Sequence, residues 1–220
     1  YCLKKSKGEF IKYLADDDLL EPDCVNQEVL RLIKEPNVAL VTCVRTIIDS
    51  TGKKTGEFRF SNKSANVNGL SIAREILTNI RENRIGEPSA VMFRRDTGVQ
   101  AGLFDPQFSQ YADFEFWIRL LSSGDLVFIN RPLCSFRVHL TSGTTAAIND
   151  GRYIDETSKL ISKYYDIPKI SSLYHIQGYK TKVKLQKTLD FLKTIKDLFI
   201  SLKFRSSFQL TLKTLKFILR

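Results

Sequence analysis

The chain has 220 residues, 43% hydrophobic and 11% aromatic, a composition that excludes a disordered chain, and no run of 18 apolar residues offers a spanning helix. Its net charge of +10 is concentrated at one end: residues 180–220 hold 11 Lys and Arg against 2 Asp, a balance of +9, so residues 1–179 carry only +1. A near-neutral globular part with a basic tail speaks against a nucleic-acid-binding domain. The cysteines Cys2, Cys24, Cys43 and Cys134 are scattered, with no CxxC pair and no zinc spacing. They read as reduced thiols of a cytoplasmic protein, Cys24 and Cys43 as small buried hydrophobes.

In chain order, Phe10 to Leu14 reads as a short buried strand that stops on Asp16, Asp17 and Asp18. Three adjacent carboxylates repel one another, and either solvation on an acidic turn or a divalent cation offsets the repulsion. Pro22 opens a helix whose apolar positions are Val25, Val29 and Leu32/Ile33, ended at Glu35-Pro36-Asn37. The β-branched run Val38 to Ile48 predicts a long strand, the Gly/Lys/Thr stretch after Asp49 a turn, and Glu57 to Phe60 a return strand. Ser61 to Asn68 reads as a polar loop, and Ile72, Ile76/Leu77 and Ile80 mark a helix.

Ser89 to Phe93 predicts a buried strand with Arg94 and Arg95 at its exit, as a solvated strand end or, less favoured, a phosphate contact, followed by a short helical turn capped by Thr97 and closed by Gly102. Leu103 to Pro106 is a tight turn. Tyr111 to Leu121 is a helix with Asp113 in its first turn and Trp117 in the core, and Leu126 to Ile129 is a strand. In Arg131 to His139, period-two alternation puts Arg137 and His139 on one face, and the small-residue loop Leu140 to Thr145 follows. A helix over Tyr153 to Tyr164 ends at Asp166-Ile167-Pro168. From Tyr179 onward two apolar stripes face lysines, which suits an anionic membrane surface or packing on a protein. The expected organisation is an α/β domain over 1–165 and a basic amphipathic helical segment over 166–220.

Taken singly, Asp113 suits the positive end of its helix, His139 a structural histidine, and Arg137 a partner for any carboxylate. Together with the acidic cluster they are what transfer from a nucleotide diphosphate needs: carboxylates for a cation, charge-assisted contacts to phosphate oxygens, and a separate base. The segments "GEFIKYLADDDLLEPDCV", "IGEPSAVMFRRDTGVQAGLFDPQFSQYADFEFW" and "RPLCSFRVH" occur in that order over residues 8–145. They resemble the metal motif, the acceptor-side strand and base-bearing helix, and the Arg-x-His element of a family-2, inverting glycosyltransferase of the GT-A fold.

The resemblance implies a GT-A-like mixed sheet flanked by helices, with Asp113 as catalytic base and Asp17 as chief ligand of Mg²⁺ or Mn²⁺. Asp16 and Asp18 would be its neighbours, and Arg137 and His139 would meet the diphosphate or the metal. The implied donor is a nucleotide-diphosphate sugar, and the implied acceptor a saccharide or lipid-linked hydroxyl. Ala15 stands where the family often has Asp, and Ala112 where it often has Glu before the base. Such a fold normally begins with about 80–90 residues of nucleotide-binding βα units; the chain is therefore expected to lack that N-terminal half. A truncated, non-catalytic, membrane-associated interaction module is the rival expectation, at the inner face of a membrane. A phosphohydrolase reading lacks a phosphate-cradling glycine loop and a nucleophile motif.

Overall fold

The β-branched run forms one strand over its whole expected length, and the sheet is built on it. The computed structural model describes residues 2–78, 83–102, 104–139 and 152–165. Ahead of the long strand come a single helical turn α1 (Cys2–Lys5), strands β1 (Phe10–Lys12) and β2 (Leu19–Leu20), and helix α2 (Cys24–Lys34). The long strand is β3 (Val38–Ile48), followed by β4 (Lys54–Phe58), β5 (Ala65–Val67) and α3 (Gly69–Thr78). A 3₁₀ turn (Pro88–Ala90) leads into β6 (Val91–Arg94), α4 (Arg95–Ala101), α5 (Ala112–Leu121), β7 (Asp125–Arg137) and α6 (Arg152–Tyr165).

The fold is mixed α/β: a seven-stranded sheet of order β1-β6-β3-β7-β2, with β4 on β3 and β5 on β7. Only β3 and β7 pair in parallel, from Val38 opposite Asp125 to Ile48 opposite Arg137. The other edge of β3 is shared. Leu40 to Thr42 pair with β6, and Arg45 to Ile48 pair with β4. The sheet therefore forks beside β3 at Cys43 to Arg45. Because β6 runs antiparallel to both β1 and β3, the C-terminal ends of β1, β3 and β7 emerge at one edge, where β6 begins.

Alternation divides the side chains between two helix-covered faces. Met92, Val41, Cys43, Val127 and Ile129 pack with Cys24 and Leu32 of α2. Phe93, the neighbour of Met92, meets Phe116 edge-on at 5.5 Å and Trp117 at 6.2 Å, both on α5. Cys24, Cys43 and Cys134 are buried free thiols, as their patterns suggested, and Cys2 is exposed. The Cys43 thiol pushes Cys24 up and the Cys134 thiol pushes Cys43 up, and burial adds to both. They stay protonated and unreactive.

Several expectations change. On α2 the buried positions are Cys24, Glu28 and Leu32, whereas Val25 and Ile33 are exposed, Ile33 by 62%. The helix turns a charged residue inward because Glu28 meets Lys12 of β1 at 2.7 Å in a buried ion pair. The polar loop 61–68 contains β5, whose Ala65 to Val67 pair with Phe128 to Leu126. The two strands expected on either side of Arg131 are one strand. Pro132 lacks an N–H, yet β7 absorbs it in a bulge, with register shifts opposite Cys43 to Arg45. Arg94 is no solvated strand end either. Its guanidinium donates to the carbonyls of Leu32, Glu35 (3.2 Å) and Val38 (2.9 Å), closing the C-terminus of α2. The following helix starts at Arg95, with Arg94 rather than Thr97 at its cap, and Gly102 ends it at φ +89°.

Candidate active site

The edge where β1, β3 and β7 end is where ligands sit in open α/β sheets, and it carries the acidic cluster. Beyond β1 the Ala15 N–H donates to Ser89 Oγ at 3.0 Å, which ties the loop to the start of β6. Asp18 is buried, and its Oδ1 accepts the Arg137 N–H at 3.0 Å. The Arg137 guanidinium donates to the carbonyls of Asp17 at 2.8 Å and Asp49 at 2.9 Å. Asp18 and Arg137 thus fix the loop to the strand end. What this leaves at the surface is Asp17, whose Oδ2 lies 3.1 Å from His139 Nε2, both partly exposed, with exposed Asp16 beside them.

The sequence-predicted residues separate accordingly. Asp17 and His139 come together; Asp18 faces the protein and Arg137 is held by main-chain carbonyls. Among the described residues no group of three or more His, Cys, Asp or Glu is arranged to hold a metal ion. The Asp17–His139 pair offers one carboxylate oxygen and one imidazole nitrogen side by side. That set fits two positions of a divalent cation whose remaining positions go to water or phosphate oxygens. The small-residue loop after His139, and the basic stripes of 179–220 with the membrane contact read from them, lie outside the described residues. No described helix is long and apolar enough to cross a membrane.

Asp113 reaches the same edge from the helix layer. The Glu156 carboxylate accepts the N–H groups of Ser109 at 2.9 Å, Gln110 at 2.8 Å and Tyr111 at 3.0 Å, which sets the turn that launches α5. Trp117 Nε1 then donates to Gly86 O at 3.1 Å and locks α5 to the segment entering β6. Asp113 Oδ1 accepts the N–H of Phe114 at 2.8 Å. Removal from water pushes the Asp113 carboxyl up to about 7; the Glu87 charge adds to this, while the Phe114 N–H and Arg45 oppose it.

Two residues here carry more than their sequence context suggested. Arg45, on β3 at the fork, is buried, with Nη2 donating to Asn83 O at 2.6 Å and Nε 3.3 Å from Glu87 Oε2. Arg45 Nε and Nη1 and Glu87 Oε2 are buried without a hydrogen bond. The signal was the one charged residue in an otherwise uncharged, largely buried strand, where a charge needs a reason.

No family model matches the chain. Uncharacterized protein MT1568 of Mycobacterium tuberculosis (strain CDC 1551 / Oshkosh) is 28% identical over 167 residues, 73% of this chain and 52% of that protein. A Rickettsia typhi (strain ATCC VR-144 / Wilmington) protein, RT0329, is 25% identical over 154 residues, 68% of this chain and 46% of that protein. That relative is described as an uncharacterized glycosyltransferase. The chain spans about half the length of the curated relatives it matches. Among solved structures, S. aureus TarS 1-349 aligns at a TM-score of 0.49 and 14% identity over 89% of this chain and 56% of that one. A second TarS crystal structure aligns at 0.46 and 10% identity, over 75% and 30%.

Proposed function

We propose that this chain carries the acceptor side and diphosphate side of a glycosyltransferase that moves a sugar from a nucleotide-diphosphate donor to a hydroxyl, with inversion. The observations that support the reading are a surface Asp17–His139 pair and a separate carboxylate, Asp113, which lies beside Glu87 and Arg45 and is poised near neutrality. The glycosyltransferase name of the Rickettsia typhi relative supports it.

In this reading Asp113 accepts the proton of the acceptor hydroxyl as that oxygen attacks the anomeric carbon. The bond from the anomeric carbon to the diphosphate oxygen breaks on the opposite face, so one displacement inverts the configuration. A base with a pKa of about 7 is matched to such a proton transfer at neutral pH. Asp17 and His139 are the residues that would hold Mg²⁺ or Mn²⁺; when bound, the cation neutralises charge developing on the leaving diphosphate. Asp18 and Arg137 keep the Asp17 loop in place against the end of β7.

The test is calorimetric titration of the protein with a panel of nucleotide-diphosphate sugars, with and without Mn²⁺, for wild type and Asp17→Asn. Cation-dependent binding by the wild type, weakened at least about tenfold by Asp17→Asn, is expected. Binding and transfer that ignore both the cation and Asp17 would overturn the assignment.

A further inference from the structure

The pair Arg45–Glu87 belongs to neither the diphosphate end nor the core, and its geometry is costly. Arg45 is 2% exposed and keeps two guanidinium nitrogens without a hydrogen bond. Even with Glu87 as its ion-pair partner, a buried guanidinium loses hydration that the pair only partly repays, so a structural role alone would be served as well by an apolar residue in this strand. The segment 83–87 is wrapped around the guanidinium. Asn83 O accepts from Nη2, and Gly86, at φ +126°, approaches so closely that an added Cβ would lie 2.7 Å from Nη1 and 2.9 Å from Ala90 Cβ. Gly86 is therefore required twice, for its dihedral and for its lack of a side chain. Its carbonyl takes the Trp117 N–H, so the same segment that grips Arg45 also fixes the helix carrying Asp113.

We propose that Arg45 and Glu87 are positioning residues for Asp113, the cation anchoring the 83–87 segment in the fork of the sheet and Glu87 holding a second negative charge against the base. This deepens the glycosyl-transfer reading and rests on it. Among the described residues the charged side chains acting most on Asp113 are Glu87 from the segment entering β6 and Arg45 from β3. The next acidic residue on α5, Glu115, is engaged by Arg119, Lys163 and Tyr164. On α3, Glu75 is paired with Arg84. Glu87 keeps Asp113 a better proton acceptor than Arg45 alone would leave it, and Arg45 keeps the two carboxylates from repelling the segment off the helix. The 20% exposure of the Glu87 side chain leaves it reachable for substitution without opening the core.

The experiment follows the carboxyl carbons of the full chain by ¹³C NMR across pH in wild type, Glu87→Gln and Glu87→Asp, with Asp113→Asn assigning the resonance. A wild-type midpoint near 7 that falls by about 0.5–1 pH unit in Glu87→Gln and returns in Glu87→Asp is the expected result. A midpoint unmoved or raised by Glu87→Gln overturns the proposal. The titration needs no turnover, so it decides the role of Glu87 even if every donor fails to react. Where transfer is measurable, the pH profile should move with the NMR midpoint and kcat should fall with the donor KM unchanged. A loss confined to donor KM counts against positioning.

Discussion

Asp113 and Glu115 stand two residues apart at the start of one helix and have opposite environments. Glu115 is wholly buried and saturated. Arg119 donates through Nε at 2.9 Å, Lys163 Nζ reaches it at 2.7 Å, and the Tyr164 hydroxyl donates at 2.7 Å. Burial pushes its carboxyl up, but these partners outweigh burial and hold it below its usual value. Asp113 is only partly buried as a residue, accepts the N–H of its own neighbour, and is pushed up to about 7 by removal of its carboxyl from water. The difference separates two uses of a buried carboxylate. A saturated one ties α6 to α5, and an under-satisfied one stores free energy that chemistry can use.

The comparison breaks first at activity. Asp113→Asn is expected to reduce transfer by about 10²–10⁴-fold while the protein stays folded, whereas Glu115 substitutions should leave turnover per folded molecule intact. Equal losses of turnover in both would erase the distinction. Stability should respond the other way. Glu115→Ala removes the carboxylate from Arg119 and leaves Lys163 with Asp105 as its remaining partner, and denaturant unfolding should show a loss of about 3 kcal/mol; a loss below about 1 kcal/mol would show that the network is dispensable.

The two carboxylates also carry opposite pH signs. The Asp113 pKa is raised on folding, so its contribution is complete below its unfolded value and is lost as pH rises through about 7. Asp113→Asn should therefore gain stability over wild type between pH 4 and 7, by about 1–3 kcal/mol. The Glu115 pKa is lowered, so its contribution is present above its unfolded value and is lost as pH falls below it. Thermal melts of Asp113→Asn and Glu115→Gln across pH 3–8 check both signs. The smallest effect is reserved for the surface of α6. Lys159 and Asp155 lie 2.6 Å apart but are exposed, and Lys159→Ala should leave the thermal midpoint indistinguishable from wild type.

What the sequence made legible follows the same division between local and tertiary causes. The strand Val38–Ile48 was readable to the residue because β-branched side chains fit a pleated surface wherever it lies in the fold. The placement of Asp113 in the first turn of its helix was readable for a similar reason, since a nearly continuous apolar run, Phe114 to Leu121, follows it directly. The inward face of α2 was not. Glu28 counts as polar until Lys12 arrives from another strand. The roles of Arg94 and Arg45 depend on a helix end and a sheet fork that bring together residues far apart in the chain. Asp17 and His139 lie 122 positions apart, and only the order of the motifs suggested that they meet.

The bulge at Pro132 has a further consequence, for insertions and deletions. Between Ile129 and Cys134, β7 advances five residues while β3 advances two, from Cys43 to Arg45, an odd excess of three. Alternation is therefore inverted across the bulge: Val127 and Ile129 line the α2 cluster before it, Leu133 joins them within it, and after it the even-numbered Cys134, opposite Leu20, takes up that face. Without the inversion Arg137 would point into the same apolar layer as Val127 and Ile129. The parity of the segment 130–132 thus decides which side of the sheet the guanidinium occupies. A chain gaining or losing two residues there keeps the site's handedness, whereas a chain gaining or losing one turns Arg137 into the core and releases the Asp17 loop.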